Sequence, residues 1–158
     1  MKRLVPFLVF LVVLAGCVFQ GDKLAFEPIA REESSFEGVN PQLFVATSYE
    51  ETLAFSQYTH LEEALKAVDY QQYLVVCVFL GVNPEGFDIE IKEIIRKERA
   101  LVLLTVFEEP ESEEGPGTVS PFHMIKIRIS DIKLEGKVSF LLEDTRGLLR
   151  AKVDVEIF

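Results

Sequence analysis

The sequence predicts an α+β fold, a mainly antiparallel β-sheet with one helix packed on a face. The first observation is a dense apolar run at 73–80, rich in β-branched and aromatic residues and closed by Gly81, Asn83, Pro84 and Gly86. That is the pattern of a central strand entering a turn. The second is strict apolar and polar alternation in other stretches, the period of two expected of strands with one wet face. The third is a single well-signalled helix start: Ser48 as N-cap, Glu51 three residues on as its reciprocal partner, and Glu50 in the first turn.

The chain has 158 residues, 16 Lys and Arg against 26 Asp and Glu, and a formal net charge of −10, which fits one domain with an acidic surface. No stretch supplies the basic footprint that phosphate backbones require, so nucleic acid is not an expected partner. At the start, Lys2 and Arg3 precede an apolar run over 4–14 broken only by Pro6. The run is too short to span a bilayer as a helix and has the shape of a signal peptide. It ends in LAGC at 14–17, which resembles a bacterial lipoprotein box. The resemblance implies removal of residues 1–16 and acylation of Cys17, with chains such as palmitate holding an extracytoplasmic protein on the membrane of the cell envelope. An acidic body on such an anchor is expected to be repelled by anionic lipid and to stand off the surface.

Residues 18–40 mix Gly21, Pro28 and Gly38 with charge and keep no period, so 17–41 reads as a tether or irregular arm whose Phe19, Phe26 and Phe36 can dock on the domain. The domain itself is expected over 42–158. Residues 43–47 form a short strand. From Ser48 the apolar residues Ala54, Tyr58, Leu61, Leu65 and Val68 step by four, three, four and three, one helical stripe against a sheet. His60 falls off that stripe and reads as a surface histidine. The strand at 73–80 then pairs most simply, as an antiparallel hairpin, with an alternating strand in which Ile89 and Ile91 oppose Asp88, Glu90 and Lys92.

A further apolar strand at 100–107 leads to a loop carrying Glu108, Glu109, Glu111, Glu113 and Glu114 around Pro110 and Pro116. Its spacing does not match a regular calcium loop, and it reads as a solvated acidic segment. Pro121 opens a strand with His123, Ile125, Ile127 and Ile129 on one face and Phe122, Met124, Lys126 and Arg128 on the other. His123 thus shares the isoleucine side, as a partly buried histidine held by a backbone or loop partner. Residues 138–142 and 149–157 form a terminal hairpin.

Residue patterns that carry chemistry are scarce. Two distant histidines supply no metal site, Ser48, Ser120 and Ser139 have no activating motif beside them, and phosphate-loop and dithiol patterns are missing from the sequence. Cys77 sits in the most apolar strand and reads as a small hydrophobe, and with Cys17 acylated no internal disulfide forms. An enzyme, a cofactor or a metal is therefore not expected.

Two motifs in order carry a family resemblance. Gly81, Pro84, Gly86 and Phe87, running into Asp88, Ile89, Glu90 and Ile91, and later Ser120, Pro121, Phe122, His123, Met124 and Ile125, resemble the C-terminal domain of the protease complex subunit PrcB family. The resemblance covers roughly 43–129; one residue of the family's T-G-G turn is missing, which leaves Glu85 before Gly86. It implies a non-catalytic envelope lipoprotein that binds or stabilises another envelope protein, a protease complex in that family. Asn83, Pro84, Glu85, Gly86 and Phe87 are the expected binding turn, supported by Ser120, Pro121, Phe122 and His123. A strand-supported turn presenting an aromatic is also a sound interface device on physical grounds. Asn83, Pro84, Gly86 and Phe87 further echo the N-P-T-T-G-[YF] loop of chagasin-like cysteine-protease inhibitors, so direct protease inhibition through 83–87 is the alternative. A calcium- or ligand-binding envelope protein using the acidic loop is the third.

Overall fold

A computed structural model describes residues 21–112 and 115–158. The fold is α+β and dominated by antiparallel sheet. Two sheets stack face to face, and short helices cover the outer side of one. The five-stranded sheet has the order β1 (Asp22–Leu24), β6 (Asp88–Lys97), β7 (Ala100–Glu108), β10 (Gly136–Asp144) and β11 (Leu149–Ile157). The four-stranded sheet has the order β2 (Glu27–Glu33), β9 (Pro121–Arg128), β4 (Tyr73–Phe79) and β3 (Gln42–Ala46). A small ribbon pairs β5 (Asn83–Pro84) with β8 (Thr118–Val119). Among the described residues no helix is long and apolar enough to cross a membrane.

The run at 73–80 lacks alternation because both faces of β4 are covered. Leu74, Val76 and Val78 join Ile125, Ile127, Ile89, Ile91, Leu101 and Phe140 in the core between the sheets. Val75, Cys77 and Phe79 point the other way, into a second core with Phe122, Met124, Phe55 and Leu65. Burial on two faces selects a continuous apolar run, while β6, wet on one face, alternates. Phe79 anchors the second core, with the rings of Phe36, Phe44, Phe122 and Tyr58 at 4.8, 5.8, 5.7 and 6.1 Å.

Three local expectations change. The hairpin over 73–92 does not form: β4 and β6 lie in different sheets, and the chain crosses between them through 80–87. That link is longer than the two to five residues of a usual hairpin loop. The single helix is two, α1 (Tyr49–Ser56) and α2 (Glu62–Lys66). The break falls at 57–61, where Thr59 donates to the Ser56 carbonyl from both its N–H and its hydroxyl, at 3.0 and 3.2 Å. Such local bonding competes with helix continuation. Tyr58, Leu61, Leu65 and Val68 still pack on the second core, but Ala54 is exposed and Phe55 takes its place.

The third change concerns the arm expected over 17–41, which contains two strands: β1 pairs with β6, and β2 pairs with β9. These are edge strands with mostly exposed side chains and a proline in β2, so they carry little apolar period. The signal peptide and Cys17 lie outside the described residues. The terminal hairpin β10/β11 forms as expected, and β10 runs parallel to β7. A parallel neighbour requires a crossover, here supplied by β8, β9 and α3 (Ile129–Ile132).

Candidate functional site

Strand directions bring four connections to one end of the two sheets: 34–41 between β2 and β3, 80–87 between β4 and β6, 109–120 between β7 and β9, and 145–148 between β10 and β11. The expected binding turn is one of the four. Gly81 opens it at φ 91°, and a Cβ there would lie 2.7 Å from the Gly38 carbonyl oxygen. Only glycine fits this left-handed position against a neighbouring backbone. Val82 N–H donates to that same oxygen at 2.8 Å, tying 80–87 to 34–41. Asn83 and Pro84 pair with Val119 and Thr118, and Asn83 Nδ2 donates to Gly81 O at 3.1 Å.

The two sequence motifs therefore meet, although they are more than thirty residues apart. They differ in what they offer to a partner. Pro84 and Gly86 are exposed; Asn83 and Glu85 are half-buried. The Glu85 carboxylate lies over Gly115 and Gly117, where any side chain would displace it. Phe87 is half-buried and packs on the inter-sheet core, so it supports the turn from below. Ser120, Pro121, Phe122 and His123 are all buried. The Ser120 carbonyl accepts from Ser34 N–H and Oγ at 2.9 and 2.7 Å, and the Pro121 carbonyl from Leu80 N–H at 3.0 Å. These four residues seat β9.

His123 joins the two sheets. Ile91 of β6 donates its N–H to His123 Nδ1 at 2.9 Å, next to the register shift between Ile91 and Glu93 that frees this amide from its ladder. Burial, and then the Arg31 guanidinium, hold the imidazole below its ordinary pKa, against the pull of Glu90 and Asp88. Arg31 in turn gathers Asp88, Glu90 and Glu108 at 2.5, 2.7 and 3.4 Å. Glu108 of the acidic loop is thus engaged by a cation; Glu113 and Glu114 lie outside the described residues. His60 is exposed on the helix layer, with the four-stranded sheet between it and His123. Ser48 caps α1, accepting from Glu51 N–H at 3.3 Å, and Ser139 donates to Asp154 at 2.6 Å. Burial pushes the Cys77 thiol well above its ordinary pKa, which keeps it protonated.

The sequence did not single out the residues around the turn. A cleft of about 180 Å3 lies among Val39, Leu80, Phe87, Phe107, Glu109 and Arg150. Arg150 stacks on Phe107 at 5.4 Å and donates to Asp144 at 2.9 Å. Burial of Asp144 works to raise its pKa but is outweighed by N–H groups of Leu148 and Arg146 and by two guanidiniums, which bring it down to about 2. Beside this rigid corner, Val39, Leu148 and Leu149 are 75%, 52% and 55% exposed. Among the described residues only five large hydrophobics are that open, and these three share one end. Leu148 and Leu149, directly after the polar Asp144 to Gly147 turn, were the signal available in the sequence. Comparison with protein-family models, with curated proteins and with solved structures finds no match.

Proposed function

We propose that the protein is a non-catalytic lipoprotein of the cell envelope, anchored through Cys17, that binds another envelope protein with the loop end of its two sheets. The observation that carries this reading is the concentration of open apolar side chains, Val39, Leu148 and Leu149, around a turn held in place by Gly81 and the β5/β8 ribbon. Exposed apolar groups on a rigid support are what interfaces use, and loops on a scaffold are where they are placed. The surrounding carboxylates Glu37, Glu85, Glu109 and Glu111 favour a partner surface that carries Lys or Arg. The family resemblance adds a protease complex as the kind of partner. Phe87 is drawn into the core, which favours a broad docking face over the insertion of one aromatic into a protease cleft.

The test is purification of the lipoprotein from membranes of its own organism as wild type and as Val39→Asp, Leu148→Asp and Leu53→Asp variants, each checked for native circular dichroism. Leu53 is equally open but lies on α1. The reading expects one protein to co-purify stoichiometrically with wild type and Leu53→Asp and to be lost from the other two. Equal recovery with all four, or with none, refutes it.

A further inference from the structure

The net charge of the chain predicts repulsion from anionic lipid, but the charge is unevenly placed. The loop end carries Glu32, Glu33, Glu37, Glu85, Glu109, Glu111 and Glu143, none of them bridged to a cation among the described residues, and its Arg146 and Arg150 are spent on Asp144. At the opposite end the pattern inverts. Among the described residues four cations make no carboxylate contact, Lys97, Arg99, Arg128 and Lys133, and all four lie there. Lys97 and Arg99 flank the β6/β7 turn, Arg128 ends β9, and Lys133 follows α3. Arg128 lies over the Tyr73 ring at 4.9 Å and donates to its hydroxyl at 2.6 Å. Arg99 donates to the carbonyls of Glu135 and Lys137 at 2.8 and 3.1 Å. Its charge is fixed in direction and not neutralised. Asp69, Glu98, Asp131, Glu135 and Glu156 share this end, so its four free cations face five carboxylates, whereas among the described residues the loop end has seven unbridged carboxylates and no free cation.

The described chain begins at this same end: Asp22 pairs in register with Arg96 of β6 and is ion-paired with it. Cys17 stands four residue steps before Gly21, so the two Cα atoms are at most about 14 Å apart. An acylated Cys17 therefore holds this end within about two Debye lengths of the headgroups at physiological salt. A cleft of about 760 Å3 opens here, with Arg99 and Lys133 beside Leu134, Ile157 and the fully exposed Phe158. Cations next to apolar and aromatic side chains match the boundary between lipid phosphates and acyl chains.

We infer that the anchored protein docks this end on an anionic phospholipid surface, with Arg99 and Lys133 taking lipid phosphates, so that the acidic loop end points away from the membrane. The inference rests on the anchoring reading. Free cations at one end of an otherwise acidic body turn that end toward an anionic surface and the acidic loop end away from it.

The test is hydrogen exchange of the full acylated protein in nanodiscs of phosphatidylcholine alone, of phosphatidylcholine with phosphatidylglycerol, and of phosphatidylcholine with inorganic phosphate in solution. The expected result is several-fold slower exchange at 97–100 and 129–135 with phosphatidylglycerol only, removed by high salt and by Arg99→Gln with Lys133→Gln, and no change at 80–87. Equal exchange in all three discs overturns the orientation, as does protection by free phosphate alone or protection of the loop end. Intact mass separates the two levels: a chain without acyl groups on Cys17 refutes the anchor and takes the inference with it, whereas an acylated chain with equal exchange refutes the orientation alone.

Discussion

His123→Leu tests the claim that the Ser120 to His123 motif is a structural clamp. The substitution keeps an apolar side chain of similar size between the sheets but removes the acceptor for Ile91 N–H, now bonded at 2.9 Å to a residue only 5% exposed. A buried donor left without a partner costs about 1–3 kcal/mol. With a urea slope of about 2 kcal/mol per molar, the midpoint falls by roughly 0.5–1.5 M at pH 7.5. His123→Gln, whose side-chain carbonyl can accept the same N–H, recovers part of the loss.

The same residue sets a pH signature. Its folded pKa lies below the ordinary 6.5, so the unfolded chain takes up protons first as pH falls. The contribution is complete above about 6.5 and declines below it, by up to about 1.4 kcal/mol per pH unit until the folded group also titrates. Urea titrations of wild type and both variants between pH 7.5 and 5 measure this. Wild type loses stability faster than either variant over that window. A His123→Leu protein with the wild-type midpoint and the wild-type pH slope refutes the reasoning.

Other substitutions probe the frame around the site. Phe79→Ala empties the centre of the second core, where the ring is fully buried among four other aromatics, and is expected to lower stability by about 3–5 kcal/mol in chemical denaturation. Gly81→Ala forces a Cβ into a left-handed position and against Gly38; a loss of more than about 1 kcal/mol follows, and a neutral effect contradicts the described turn. Cys77 is expected to resist thiol reagents in the native state and to react at once in denaturant, because burial keeps it inaccessible and protonated; mass spectrometry after alkylation reads both. Asp144 has a depressed pKa of about 2, so its contribution is present above the ordinary carboxylate value and is lost as pH falls through about 2. Asp144→Asn removes that acid-sensitive component and loosens 144–150, seen as faster amide exchange there.

Local chemistry was legible in the sequence, and long-range partnership was not. The run around Cys77 announced a strand because burial on both faces leaves only apolar choices. The alternation in β6 and β11 likewise separated wet from dry positions, whereas in β9 it separated two cores, with Phe122 and Met124 buried opposite His123 and Ile125. Alternation put His123 on the isoleucine side, and the rule that buried polar groups are bonded called for a backbone or loop partner, which is the Ile91 N–H. The sheet to which β6 belongs was hidden, since a period of two is the same for a hairpin partner and for a strand across the core. β2 was hidden because an edge strand facing water has little apolar pattern to show. Ser48 was read as the cap, yet the Glu51 carboxylate accepts from Thr47 N–H at 2.6 Å, one residue before the position its spacing indicated. The turn at 83–87 was legible from its Pro and Gly, but the open face around it joins Val39 and Leu148 from opposite ends of the sequence, and only the fold brings them to one end.

Site-specific photo-cross-linking in living cells tests the central claim most directly. A benzophenone amino acid is placed singly at Pro84 and Leu148 on the loop end, at Leu53 on the helix layer and at Lys97 on the opposite end. The account predicts that Pro84 and Leu148 capture the same envelope protein, while Leu53 captures none and Lys97 captures lipid. Capture of a protein from Leu53 or Lys97 with none from the loop end contradicts it.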